Sequence, residues 1–214
     1  FYNDGDFVEI PDSAYFNYYH KGFTMSCWYL MDELAGWTHP IIKLEPGVST
    51  VSGYLFGVDG NNRQDCRFIF ENSLGWPGLN SADGGLNVNY RDGQWHMMTV
   101  TYDSSTVTLY VDGDEKFSGA LNLSTAPLPS SPLSIGGWYN DSSIAGAIDE
   151  VRVYTYPLTP TEVAEMYVGF KTNEFVCVET MEGFDTYDMN GDCRINLGDF
   201  AFVIEHGRIA CVFE

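Results

Sequence analysis

The sequence predicts a mostly β protein, an antiparallel sandwich of two sheets, with a small loop-and-helix module at its C-terminus. Three observations lead there. Residues 1–168 run as short stretches of alternating apolar and polar residues between Gly, Asp, Asn and Pro turns. Helical spacing enters that region only at Leu158–Tyr167. Beyond residue 174, oxygen-bearing side chains recur from Asp188 to Asp199 at the spacing a hard cation requires.

Taken in order, the clearest strands are Gln94–Tyr102 and Thr106–Val111, joined by Asp103-Ser104-Ser105 and ended by Asp112-Gly113. Side chains alternate faces along a strand, so Met98, Val100 and Tyr102 share one face with His96, and Val107, Leu109 and Val111 share a face of the partner. His96 therefore falls on the apolar side, where a hydrogen-bonded core histidine is the expectation. Strands of this kind bury one face only, and packing two sheets together buries both. At 214 residues, with 44% apolar and 15% aromatic content, the chain has ample material for a core.

The helix follows. Thr159 is an N-cap, Pro160 suits the first helical position and Glu162 completes a capping box. This helix ends a first domain at residue 168. Residues 169–173 read as a linker, and 174–214 as the second module.

In that module Asp188, Asn190 and Asp192 stand at positions 1, 3 and 5 of a twelve-residue loop. The Arg194 carbonyl, Asn196 acting through a water, and Asp199 complete the oxygen set for Ca2+. Ile195 supplies an apolar plug. Leu197, Phe200, Ala201 and Ile204 then recur at helical spacing up to His206-Gly207, with Asn196 as cap and Asp199 near the positive helix end. Cys193 replaces the usual glycine, and a left-handed backbone there costs on the order of 1 kcal/mol.

The run Asp188-Met-Asn-Gly-Asp-Cys-Arg-Ile-Asn-Leu-Gly-Asp-Phe-Ala resembles the EF-hand-like calcium half-repeat of dockerins, in the Cys-containing form of planctomycete-type secreted and surface proteins. The resemblance covers about 174–214 and implies a calcium ion. A full dockerin carries two repeats; this sequence shows one, so docking to a cohesin is not implied.

A second resemblance covers about 1–168. Gly5–Ser13, Phe23–Trp28, Gln94-Trp95-His96, Leu109–Gly113 and Ala147–Tyr154 occur in the order found in laminin-G-like domains, which have the concanavalin A-like jelly roll. It implies a structural calcium held by Asp4 or Asp6 with Asp149 and a carbonyl such as that of Asn3. It also implies a further strand upstream of Asp4–Ile10, which this sequence starts too late to include. A sandwich without that strand has an open edge of unpaired backbone groups.

Several function classes are excluded. Thirty acidic against ten basic residues, a net charge of −20, repels phosphate backbones and anionic membranes, so nucleic acid is not an expected partner. No apolar run is long enough to insert in a bilayer. The Glu-x-Asp-x-x-Glu pattern of laminarinase-like glycosidases is absent, and Asp149-Glu150, being adjacent, are expected on opposite faces of a strand. His20, His39, His96 and His206 lack metal-ligand spacing, so the chain reads as non-enzymatic.

The five cysteines fit an extracellular, oxidising compartment: Cys27 and Cys66 in the large domain, and Cys177, Cys193 and Cys211 in the small one. Cys211 is expected to bridge to Cys177 or to Cys193. Asn122-Leu-Ser and Asn140-Asp-Ser match the glycosylation pattern. Trp37, Trp76, Trp138 and Tyr139 sit beside Gly, Pro or Asn as loop residues do, and serve equally for stacking on sugars or anchoring a protein interface.

The expected function is thus that of a secreted surface protein that self-associates head-to-tail into a filament, its calcium-loaded C-terminal module acting as connector. The second reading is a carbohydrate-binding or adhesion module of a secreted polysaccharide-degrading enzyme or cell-surface protein, docked through its C-terminus. The partners are then the chain itself, another surface protein or a polysaccharide.

Overall fold

The computed structural model describes residues 6–16, 21–31, 38–45, 53–58, 66–71, 78–80, 90–123, 129–137 and 144–169. In chain order its strands are β1 (Val8–Ile10), β2 (Phe23–Met31), β3 (Thr38–Leu44), β4 (Gly53–Val58), β5 (Cys66–Glu71) and β6 (Gly78–Asn80). Then come β7 (Trp95–Tyr102), β8 (Thr106–Val111), β9 (Asp114–Ala120), β10 (Leu133–Ile135), β11 (Gly146–Tyr154) and helix α1 (Pro160–Val168). They build one sheet in the order β1-β10-β3-β4-β5-β6 and another in the order β11-β2-β7-β8-β9. Every pairing is antiparallel. The two-sheet architecture expected from the alternation is therefore the one observed.

The core lies between the sheets. From the five-stranded sheet it takes Phe23, Met25, Cys27, Tyr29 and Met31 of β2, Met98, Val100 and Tyr102 of β7, and Val107, Leu109 and Val111 of β8. From the other sheet come Ile41, Tyr54, Phe56 and Leu133. The inward residues of β7 and β8 are those the sequence alternation selects, because strict period-two geometry leaves one face for the core. Cys27, counted among the cross-linking candidates, is instead a free thiol buried at this centre, and burial pushes its pKa far up. An inward position on β2, opposite Met98, surrounds the sulfur with core side chains.

The outward face of the five-stranded sheet is also apolar where α1 covers it. Trp28, Met97 and Tyr110 pack against Val163 and Tyr167. The rings of Trp28 and Tyr167 stack with centroids 5.5 Å apart and planes 14° apart. The helix begins as its sequence dictates: the Glu162 N–H donates to Thr159 Oγ1 at 3.3 Å and the Thr159 N–H donates to Glu162 Oε2 at 2.8 Å. Thr24 positions the approach, its hydroxyl donating to the Tyr156 carbonyl at 3.0 Å and accepting from the Leu158 N–H at 2.8 Å.

Alternation breaks at one place the sequence does not mark. In β11 the register slips between Asp149 and Arg152, and Glu150 takes a left-handed φ of 49°. This is a bulge, so Asp149 and Glu150 do not simply face opposite sides of the strand. Both are exposed; Asp149 Oδ1 accepts the Glu150 N–H at 2.8 Å, and Glu150 pairs with Arg152 at 2.7 Å.

Candidate functional site

Antiparallel connectivity collects many strand ends at one end of the sandwich. β2 finishes there at Met31, β7 starts at Trp95 opposite Leu30, β8 finishes at Val111, and β11 starts at Gly146 opposite Met31. In the other sheet β3 starts at Thr38 opposite the end of β4, and β10 finishes opposite the start of β3. The Thr38 hydroxyl donates to Met31 Sδ at 3.2 Å, joining the two sheets at this end. The Gly93 N–H donates to the Met31 carbonyl at 2.9 Å, tying the segment 90–94 to β2.

The turn between β8 and β9 is Asp112-Gly113, with φ of 55° and 83°. Two central residues of positive φ match the twist of the flanking strands, and Asp-Gly is a pair that accepts it. The turn aims Asp112 at the start of β7. Asp112 Oδ1 accepts the Met97 N–H at 2.9 Å and Oδ2 lies 2.6 Å from His96 Nδ1. On the other side of the ring, His96 Nε2 lies 3.1 Å from Asp92 Oδ1, which also accepts the Gln94 N–H at 2.9 Å. Tyr90 meets the imidazole edge-on at 5.6 Å and Tyr29 lies tilted at 6.0 Å.

The electrostatics follow from this clamp. Burial alone would push the His96 pKa down, but the hydrogen bond and charge of Asp112, joined by those of Asp92, raise it overall. For Asp92, burial pulls upward, and the Gln94 N–H together with His96 outweighs it and lowers the pKa. His96 is hydrogen-bonded, as its strand position suggested, but to two carboxylates at the rim of the core. Each ring nitrogen thus faces a carboxylate oxygen, Nδ1 that of Asp112 and Nε2 that of Asp92.

Beside the clamp stands Trp95, 39% exposed in a chain whose other described tryptophan, Trp28, is buried. Asp92 and Gln94 in the same segment are exposed as well. Trp95 thus presents an exposed aromatic ring one and three residues from the exposed Gln94 and Asp92, and an exposed ring can stack on an apolar face of a ligand. Sequence reasoning selected loop tryptophans and passed over Trp95. The signal was its parity: with Met98 and Val100 inward, Trp95 and Met97 point outward, and α1 covers only Met97.

Of the residues nominated from sequence, Asp6 is exposed ahead of β1, Asp149 is exposed at the β11 bulge, and Asn122 is exposed after β9. Asn3, Asp4, Trp37, Trp76, Trp138, Tyr139, Asn140, Cys177, Cys193 and Cys211 lie outside the described residues, as does the whole calcium loop, Asp188, Asn190, Asp192, Arg194, Asn196 and Asp199. Cys66 is described only as backbone of β5. Among the described residues no group of three or more His, Cys, Asp or Glu is placed to hold a metal ion. Nor is any described helix long and apolar enough to cross a membrane.

Comparison with known proteins agrees with this architecture. A family model described as the concanavalin A-like lectin/glucanases superfamily, Laminin_G_3, matches residues 3–164. Among solved structures, the binding domain of Paraclostridial Mosquitocidal Protein 1 superposes with a TM-score of 0.60 at 16% identity, over 78% of this chain and 42% of that one. Domain 4 of AbnA, a GH43 extracellular arabinanase from Geobacillus stearothermophilus solved with arabinotriose, gives 0.52 at 22% identity, over 75% and 72%. The binding domain of botulinum neurotoxin serotype D gives 0.57 at 13% identity, over 79% and 41%. The chain thus spans about two fifths of the two toxin domains. No curated protein matches it.

Proposed function

Because the chain belongs, over residues 3–164, to the concanavalin A-like lectin/glucanases superfamily, we propose that it is a non-catalytic, extracellular carbohydrate-binding module that takes its ligand at the Trp95 end of the sandwich. The observation that carries this reading is the exposed Trp95 beside Asp92 and Gln94. The AbnA domain solved with arabinotriose and the toxin binding domains lend support, since they share the fold. The partner is a polysaccharide or the glycan of a surface protein. Trp37, Trp76, Trp138 and Tyr139, outside the described residues, are further ligand candidates on sequence grounds alone.

The test is a glycan array that includes arabinotriose, followed by titration calorimetry on any hit. Trp95→Ala is expected to weaken binding by at least about tenfold, about 1.4 kcal/mol. Undiminished affinity in that variant moves the site elsewhere, and a blank array rejects carbohydrate as the ligand.

The filament expected from the sequence becomes the second reading. What favours it is β1, which among the described strands pairs only with β10 and carries Val8 at 51% exposure. An edge of this kind accepts an added strand. Sedimentation of the purified chain decides: a monomer at all concentrations removes this reading.

A further inference from the structure

We infer that His96 is a positively charged strut that positions the proposed binding rim, and that deprotonation releases Asp92–Trp95 from the β8–β9 turn. The argument is one of donors. A neutral imidazole has one N–H and one lone pair, whereas an imidazolium has two N–H groups. His96 faces a carboxylate oxygen from each ring nitrogen, Asp112 at 2.6 Å and Asp92 at 3.1 Å. Only the imidazolium satisfies both; either neutral tautomer sets a lone pair against carboxylate oxygen.

The carboxylates belong to different elements. Asp92 sits in the segment leading into β7 and Asp112 in the turn after β8, so the ring bridges them across the end of the five-stranded sheet. Each carboxylate also holds a backbone N–H, that of Gln94 and that of Met97, at 2.9 Å. The strut therefore fixes the backbone on both sides of Trp95. The charged groups acting on His96 are Asp112 and Asp92, and the rings of Tyr29 and Tyr90 flank it. Its pKa is raised on folding, so the contact is complete below the unfolded value and is lost as pH rises through the folded one. The consequence for ligand affinity rests on the carbohydrate-binding reading; the strut itself does not.

The experiment is nitrogen-15 histidine spectroscopy of the full chain from about pH 5 to about pH 9, with His96→Gln identifying the signal. Both ring nitrogens are expected to be protonated at neutral pH, with a midpoint above the ordinary histidine range that falls in Asp112→Asn. Amide exchange at Gly93 and Gln94, corrected for intrinsic rate, is expected to rise at least about threefold across that midpoint. In His96→Gln it should be fast throughout. Asp92→Asn, which keeps the Asp112 contact, serves if His96→Gln fails to fold. A single protonated nitrogen at neutral pH, or exchange that ignores the midpoint, overturns the strut. Binding to the arrayed glycans at both pH extremes is read separately: no binding at either, with the titration as expected, rejects the binding reading and leaves the strut in place.

Discussion

Lys43 Nζ lies 2.6 Å from Asp12 Oδ1, with the lysine side chain fully buried and the aspartate side chain 35% exposed. The ammonium also donates to the Ser131 carbonyl, so β3 is tied both to the segment after β1 and to the segment before β10. Removing one partner of a buried pair strands the other charge, whereas removing the charge altogether does not. Asp12→Ala is therefore expected to lower stability by about 3 kcal/mol, the low end of the range because the Ser131 carbonyl remains. Lys43→Met leaves Asp12, 35% exposed, open to water but strips the Ser131 carbonyl of its donor, so a smaller loss of about 1–2 kcal/mol is expected. Urea unfolding of both variants checks this, and equal losses would show that the pair itself is not the governing term.

Helix α1 is the second place where a small change has a calculable effect. Thr159→Ala removes the N-cap acceptor and is expected to lower stability by about 1 kcal/mol. Tyr167→Ala removes a buried ring stacked on Trp28, for an expected loss of about 3 kcal/mol. A double-mutant cycle of Trp28→Ala and Tyr167→Ala should leave a coupling of about 1 kcal/mol. Strict additivity would mean the rings are buried side by side without specific interaction.

These two cases differ in how far the sequence reveals them. The Thr159–Glu162 box is local, four residues in a row of chain, and the alternation of β7 and β8 is likewise carried by consecutive residues. Both were legible. Lys43 was not, because its burial depends on Asp12, far upstream, and on Ser131, far downstream. The β11 bulge was hidden for the same reason: the slip at Glu150 is set by pairing with β2, and no Gly or Pro announces it. The candidate site was half legible. Alternation placed His96 on the core side, but its two partners meet only after the Asp112-Gly113 turn has closed. Trp95 was readable from parity once α1 was known to stop short of it.

Cys27 should be chemically silent in the folded protein. Its sulfur is fully buried and its pKa is pushed up by desolvation, so almost no thiolate is present to react. Iodoacetamide followed by peptide mass mapping is expected to leave Cys27 unmodified in buffer and to alkylate it in urea. Alkylation at equal rates in the two solvents would contradict a packed core at β2.

The loop Asp188–Asp199 stands as a proposal on its spacing. If it coordinates Ca2+ as that spacing suggests, titration calorimetry on the full chain should show one site that disappears in the Asp188→Ala, Asp192→Ala double variant, since two of the side-chain oxygens are then missing. With Cys193 in place of the customary glycine, affinity is expected in the weak, extracellular range of about 10⁻⁴ to 10⁻³ M. Ligand binding that rests on stacking against Trp95 is expected to survive EGTA. Glycan affinity lost on chelation would instead point to a calcium ion at the binding rim, with Asn3, Asp4, Asp6 and Asp149 as its candidate ligands.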